Sequence, residues 1–188
     1  MCFVKRVIHL FLALAALSPL ACLGAPMQWS GNGNYYELVG QQLTWEDART
    51  AAQTRLWQGS AGHLATVTSD DESDFLFTNL AVQGDHYWLG GYQPNPSAAA
   101  NEGWVWVTGE LWQYENWFVG EPNDHGGGED SLVFQGVRNG MWNDGTGTVL
   151  SATVGYIVEY EITPVPIPDT SWLLWAGLFF FAARRLSP

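Results

Sequence analysis

Residues 121–130 read EPNDHGGGED, and WND follows at 142–144. Ten residues thus gather Glu121, Asp124, Glu129 and Asp130 around an amide, Asn123, and a glycine run, with Asn143 and Asp144 close behind. Carboxylates packed this closely repel one another unless a cation or protons relieve them. The stretch therefore asks what sits between them.

The rest of the chain narrows the answer. It has 188 residues and a formal net charge of −12, room for one ordinary domain plus processing segments. Between Pro26 and Thr163 eighteen carboxylates face only three guanidinium groups, those of Arg49, Arg55 and Arg138. Such a surface repels nucleic acid phosphates and anionic membranes, so a metal cation or a neutral ligand fits better.

Both ends read as targeting segments. Residues 1–25 join a basic start, an apolar run from Val7 to Leu17 and a small-residue region, the pattern of a secretory signal peptide. Candidate cleavage points follow Ala21, Gly24 and Ala25. Lipidation of Cys22 is disfavoured because Pro19 and Leu20 stand in the wrong order. With Cys2 and Cys22 in or beside this segment, the exported domain, 26–163, is expected to hold no disulfide. Residues 164–188 join a Pro-rich linker, twelve apolar residues from Trp172 to Ala183 and the pair Arg184–Arg185. This order resembles the PEP-CTERM sorting tails of Gram-negative bacteria, with VPIP where Pro-Glu-Pro usually stands. The resemblance implies an exosortase-type processing enzyme as partner, transient membrane association, and a final place at the cell surface or in an exopolysaccharide matrix. A plain membrane anchor with a positive-inside Arg pair is the alternative.

Within the domain, NYYELVG reads as a strand. TWEDARTAAQTRLW places Trp45, Ala48, Ala52 and Leu56 on one helical stripe, with Thr44 and Asp47 spaced as a capping box. A second helix starts at Ser69, with Glu72 closing its box and further acids at the favourable end of its dipole. HYWLGGY, GWVWVTG, SLVFQG and VGYIVEYE then read as strands around a long polar loop. Two helices followed by an irregular antiparallel sheet predict an α+β domain. Trp45, Trp88, Trp104 and Trp106 lie on periodic faces and are expected in the core.

Taken in order, WEDARTAAQ, GHLATVTS, YWLGGY, EGWVWVTGE, ENWFVGEPNDHGGGED, MWND and GYIVEYE resemble a C-type lectin-like domain over roughly residues 34–161. That family folds as a double-looped α+β domain whose long loop region binds Ca²⁺. Carried over residue by residue, the resemblance implies that Glu121, Asn123, Glu129, Asn143 and Asp144 ligate the ion and contact the sugar. It also implies a cis peptide bond before Pro122. The order of acceptor and donor in EPN implies mannose, glucose, N-acetylglucosamine or fucose rather than galactose. An auxiliary Ca²⁺ site would draw on Asp124, Asp130 and Glu102, although Ala98 stands where a further acid would help. The chemistry agrees with a hard ion, since Ca²⁺ takes about six to eight oxygens and mixed carboxylates and amides on loops suit it.

The chain departs from the family in its disulfides. Ala52 and Val158 stand where one pair would be, and Ser131 stands where another Cys would be. Apolar packing is expected to replace the first bridge, and Ca²⁺ to supply an unusual share of the order of the WND loop. Three other chemistries are weighed against this reading. Glu121 and Glu129 as an acid–base pair on a glycosidic bond lack a pocket, so no enzymatic activity is expected. The GGG run lacks the Lys and Ser or Thr of a phosphate-binding loop. His63 reads as structural and His125 as a solvated loop side chain. A protein-binding or matrix module in which Ca²⁺ is purely structural is the alternative on the same fold.

Overall fold

Tyr35–Val39 (β2) and Thr153–Tyr160 (β9) are apolar on alternate or successive positions and pair antiparallel from Tyr35↔Tyr160 to Val39↔Tyr156, joining the two ends of the domain. The computed structural model describes residues 25–81, 85–149 and 153–162. Cys2, Cys22, the signal segment up to Gly24 and the tail 164–188 lie outside the described residues.

The sheet continues from β9 to His86–Tyr92 (β5), Ser131–Gln135 (β7) and Met141–Gly145 (β8), with the short Met27–Gln28 (β1) beyond β2. A hairpin of Leu56–Trp57 (β3) and Ser60–Leu64 (β4) joins the C-terminal half of β9, and Val105–Trp106 (β6) pairs with β5. The expected sheet was antiparallel throughout, yet β5 and β9 run parallel. Parallel neighbours need a long crossover, and the polar loop region together with β7 and β8 supplies it. GWVWVTG contributes only the two residues of β6 to the sheet.

Both helices start where their caps predict. Thr44 accepts from the Asp47 amide at 3.1 Å and opens Trp45–Thr54 (α1), which buries Trp45, Ala48 and Ala52. The predicted stripe does not reach Leu56, which is 71 % exposed. The chain turns extended at Arg55, where α1 ends, and the Arg55 guanidinium grips Glu37 through Nε–Oε2 at 3.0 Å and through Nη2–Oε1. Ser69 accepts from the Glu72 amide at 3.3 Å and opens Asp70–Asn79 (α2). Glu72 does not reach back to Ser69. Its carboxylate takes the amide and hydroxyl of Thr68 instead, at 2.7 and 3.0 Å, and is drawn into the core.

Two apolar clusters fill the domain. Trp45, Trp88, Trp104 and Trp106 are all buried, as expected, and the indole N–H of three of them donates to a main-chain carbonyl, of Leu89, Leu43 and Ala100 respectively for Trp45, Trp88 and Trp104. Ala52 and Val158 are fully buried in one cluster, so packing occupies the place of a bridge. Around Trp142, the rings of Trp106, Trp112, Trp117 and Tyr114 pack edge-on or tilted with centroids 5.5–5.7 Å away. WND is thereby anchored on a strand rather than a loop. All five residues of β8 are in register with β7, from Ser131↔Gly145 to Gln135↔Met141.

Candidate functional site

The site is built where the loop after Phe118 meets β8. Phe118 donates its amide to the Trp142 carbonyl at 2.9 Å, and Trp142 donates to the Asn116 carbonyl at 2.7 Å. A turn closed by Glu121 N–H to the Phe118 carbonyl at 2.9 Å then brings Glu121 within charge range of Asp144. The Glu121–Pro122 peptide is cis, as the resemblance implied.

Beyond it the chain wraps around one buried carboxylate. Asp144 is fully buried and accepts from the amides of Asn123, at 3.0 and 3.2 Å to its two oxygens, and of Asp124, at 2.7 Å. Asp124 accepts in turn from the Glu129 amide at 3.0 Å, and Glu129 Oε2 accepts from the His125 amide at 2.7 Å. Gly126, Gly127 and Gly128 all hold φ between +82° and +84°, a run that residues with a Cβ tolerate poorly, and so return Glu129 to the site. The Asn143 side-chain amide contacts the Asp144 carbonyl oxygen.

The charges of Glu121, Glu129 and Asp144 act on one another. Burial pushes the Glu121 carboxyl above the usual range and the Asp144 charge adds to this, while Arg138 pulls it back. Burial likewise raises Glu129, the His125 amide opposes, and the charges of Asp144 and Glu121 raise it further. Glu121 Oε2 is buried without a hydrogen-bond partner. That is the signature of a position missing a positive charge. Among the described residues, no three Asp, Glu, His or Cys side chains draw together tightly enough to ligate one ion on their own. Asp144 has both oxygens turned to the backbone amides of Asn123 and Asp124.

Of the remaining predicted residues, Asp124 and Asp130 lie close enough for the Asp124 charge to add to burial in raising the Asp130 carboxyl. Glu102 is exposed, and its carbonyl rather than its carboxylate is engaged, by Gln93 Nε2 at 2.6 Å. Gln93 also donates its amide to the Asp130 carbonyl at 2.9 Å and so staples the loop of Ala99–Glu102 beside that residue. His63 sits away from the site, with Nδ1 2.9 Å from the Leu64 carbonyl and Nε2 3.8 Å from Glu161. His125 is exposed. Sequence reasoning passed over Arg138, whose Cζ lies 3.6 Å from the Phe118 ring centroid at the edge of the site. Its signal was the scarcity of cations in the domain.

Residues 41–154 match the family model described as Lectin C-type domain. The chain belongs to the C-type lectin family. A lectin of Pleurodeles waltl is 33 % identical over 114 residues, which cover 59 % of this chain and 62 % of that protein. Human C-type lectin domain family 4 member G is 35 % identical over 139 residues, covering 72 % of this chain and 44 % of the human protein. The chain thus matches less than two thirds of the length of either relative. Among solved C-type lectin structures, the carbohydrate-recognition domain of cow CD23, determined in the presence of a GlcNAc2Man3 oligosaccharide, superposes with a TM-score of 0.57 at 25 % identity, over 69 % of this chain and 89 % of that domain. The α+β fold of this protein is that of a C-type lectin, with two helices and a mixed sheet.

Proposed function

We propose that the protein is a non-catalytic, calcium-dependent carbohydrate-binding protein, exported by a Gram-negative bacterium to its surface or extracellular matrix. The observation that carries the reading is Glu121 Oε2, buried and unpartnered within charge range of Asp144 and Glu129. Glu121, Asn123, Glu129, Asn143 and Asp144 would hold Ca²⁺, a hard ion suited to this mixture of carboxylate and amide oxygens. When bound, the ion offers open positions to two vicinal sugar hydroxyls. Asn123 is exposed, and Glu121 and Asn143 are partly exposed, so these three can also exchange hydrogen bonds with those hydroxyls, the carboxylate accepting and the amides donating.

The EPN order supports mannose, glucose, N-acetylglucosamine or fucose as the sugar. The C-terminal tail supports processing by an exosortase-type enzyme. Calcium titration of the purified protein, followed by glycan-array binding in calcium and then in chelator, tests the reading. Mannose-type signals that vanish in chelator are expected. Glu121→Ala and Asn143→Ala are expected to abolish them while the domain stays folded, and undiminished binding by either variant overturns the site. Calcium binding with no glycan signal would instead favour a protein or matrix partner and a purely structural ion.

A further inference from the structure

The domain contains three arginines, and two of them are committed. Arg55 grips Glu37, and Arg49 lies 3.7 Å from Glu46 while stacking beside Trp45 and Tyr92. Arg138 has no carboxylate within ion-pair distance among the described residues.

Its position is fixed by the hairpin between β7 and β8. A 3-10 turn, Gly136–Arg138, is followed by Asn139 at φ 57°, and the guanidinium lies 3.6 Å from the Phe118 ring centroid. A guanidinium held over an aromatic face keeps its planar fork of donors while losing little further freedom on binding. Phe118 belongs to the calcium site itself, since its carbonyl closes the turn to Glu121 and its amide is tied to Trp142, the neighbour of Asn143. Val119 and Val137, the sequence neighbours of Phe118 and Arg138, are 88 % and 54 % exposed.

We propose that Arg138, seated on Phe118 beside the Glu121–Asn123 turn, forms a subsite for a negatively charged sugar residue linked to the sugar on the calcium site. A uronate carboxylate is the unit that best matches the planar fork. The inference rests on the lectin reading above. The surrounding domain carries about fifteen net negative charges, which disfavour anionic glycans on most of its surface, so the unpaired Arg138 is the place suited to an acidic unit.

The test compares glucuronosyl-mannose with neutral glucosyl-mannose by calorimetry in saturating calcium. The protein is expected to bind the acidic disaccharide about three- to fivefold tighter, the range of a partly exposed ion pair, with the gap narrowing at high salt. R138Q is expected to lose the gap and keep neutral binding, and R138K to retain part of it. A sulfated disaccharide arm separates a preference for carboxylate from one for any anion, and a stronger response to sulfate overturns the uronate assignment. Equal affinities in the parent, or a gap that survives in R138Q, overturn the subsite while leaving the lectin reading intact. Failure of both disaccharides to bind in calcium overturns the lectin reading and this subsite with it.

Discussion

Apart from Glu37, which Arg55 holds, the carboxylates buried among the described residues fall into two groups, and the protein completes only one of them. Glu72 and Glu159 lie between β2, α2 and β9, and each of their four oxygens has a donor. Glu159 receives Asn34 Nδ2 at 2.7 Å and the Tyr36 hydroxyl at 3.0 Å on one oxygen, and the amide and hydroxyl of Thr66 at 3.0 Å on the other. Glu72 receives Tyr36 on one side and Thr68 on the other. In the loop, Asp144 is met by two backbone amides and Glu129 by one, while Glu121 Oε2 has nothing. A cluster whose donors all come from the chain is a joint. One left short of positive charge is fitted for a partner from outside.

The largest effect expected from this contrast is at the joint. Glu159→Ala strands the Thr66 amide and hydroxyl in the interior, which should cost about 3–5 kcal/mol in urea unfolding, equally with calcium and with chelator. A cost that depends on calcium would show that the two clusters are not separate. Next comes the metal. Calcium at about a hundredfold its dissociation constant should stabilise the domain by roughly 2.7 kcal/mol, a melting shift on the order of 5–10 °C. Glu159→Ala should keep that shift, and Glu121→Ala should abolish it. A smaller effect of opposite sign is expected in chelator, where Glu121→Gln removes a charge that burial and Asp144 disfavour and should raise the unfolding midpoint slightly. A lowered midpoint there would mean that the loop is closed by the protein alone.

Which parts of this were legible in the sequence follows from range. The helix starts at Thr44 and Ser69 rest on contacts three residues long, and both are found as read. At the end of α1, Arg55 meets Glu37, eighteen residues away on β2, and no local pattern announces that pair. The same holds for Glu72, which leaves its box because Tyr36 and Thr68 reach it in the core. WND reads as loop because polar residues dominate it, yet pairing with β7 makes it a strand with Trp142 and Asp144 buried and Asn143 partly exposed. The residue types of the site were legible through the family pattern. The amide cage around Asp144 and the seat of Arg138 on Phe118 were not, since both arise from segments twenty residues apart closing on each other.

The smallest effect expected tests whether the joint is as complete as its hydrogen bonds suggest. The Tyr36 hydroxyl touches both carboxylates but carries a single hydrogen, so one contact lacks a proton when both acids are ionised. Burial accordingly raises the Glu72 carboxyl above its usual range, with the Glu159 charge adding to it and the donors Tyr36 and Thr68 opposing. A group whose folded pKa lies above its unfolded value stabilises the fold fully below the unfolded value, about 4.3 for glutamate, and that contribution is lost as pH rises through the folded value. With calcium saturating, so that the loop acids stay ionised, unfolding free energy should therefore decline from mildly acidic pH toward neutrality. Glu72→Gln should flatten the decline whatever its own stability, and Tyr36→Phe, which removes a donor that favours the ionised form, should steepen it. If the slope is unchanged in Glu72→Gln, the pH dependence belongs to the loop, and the joint is the better satisfied of the two clusters in protons as well as in donors.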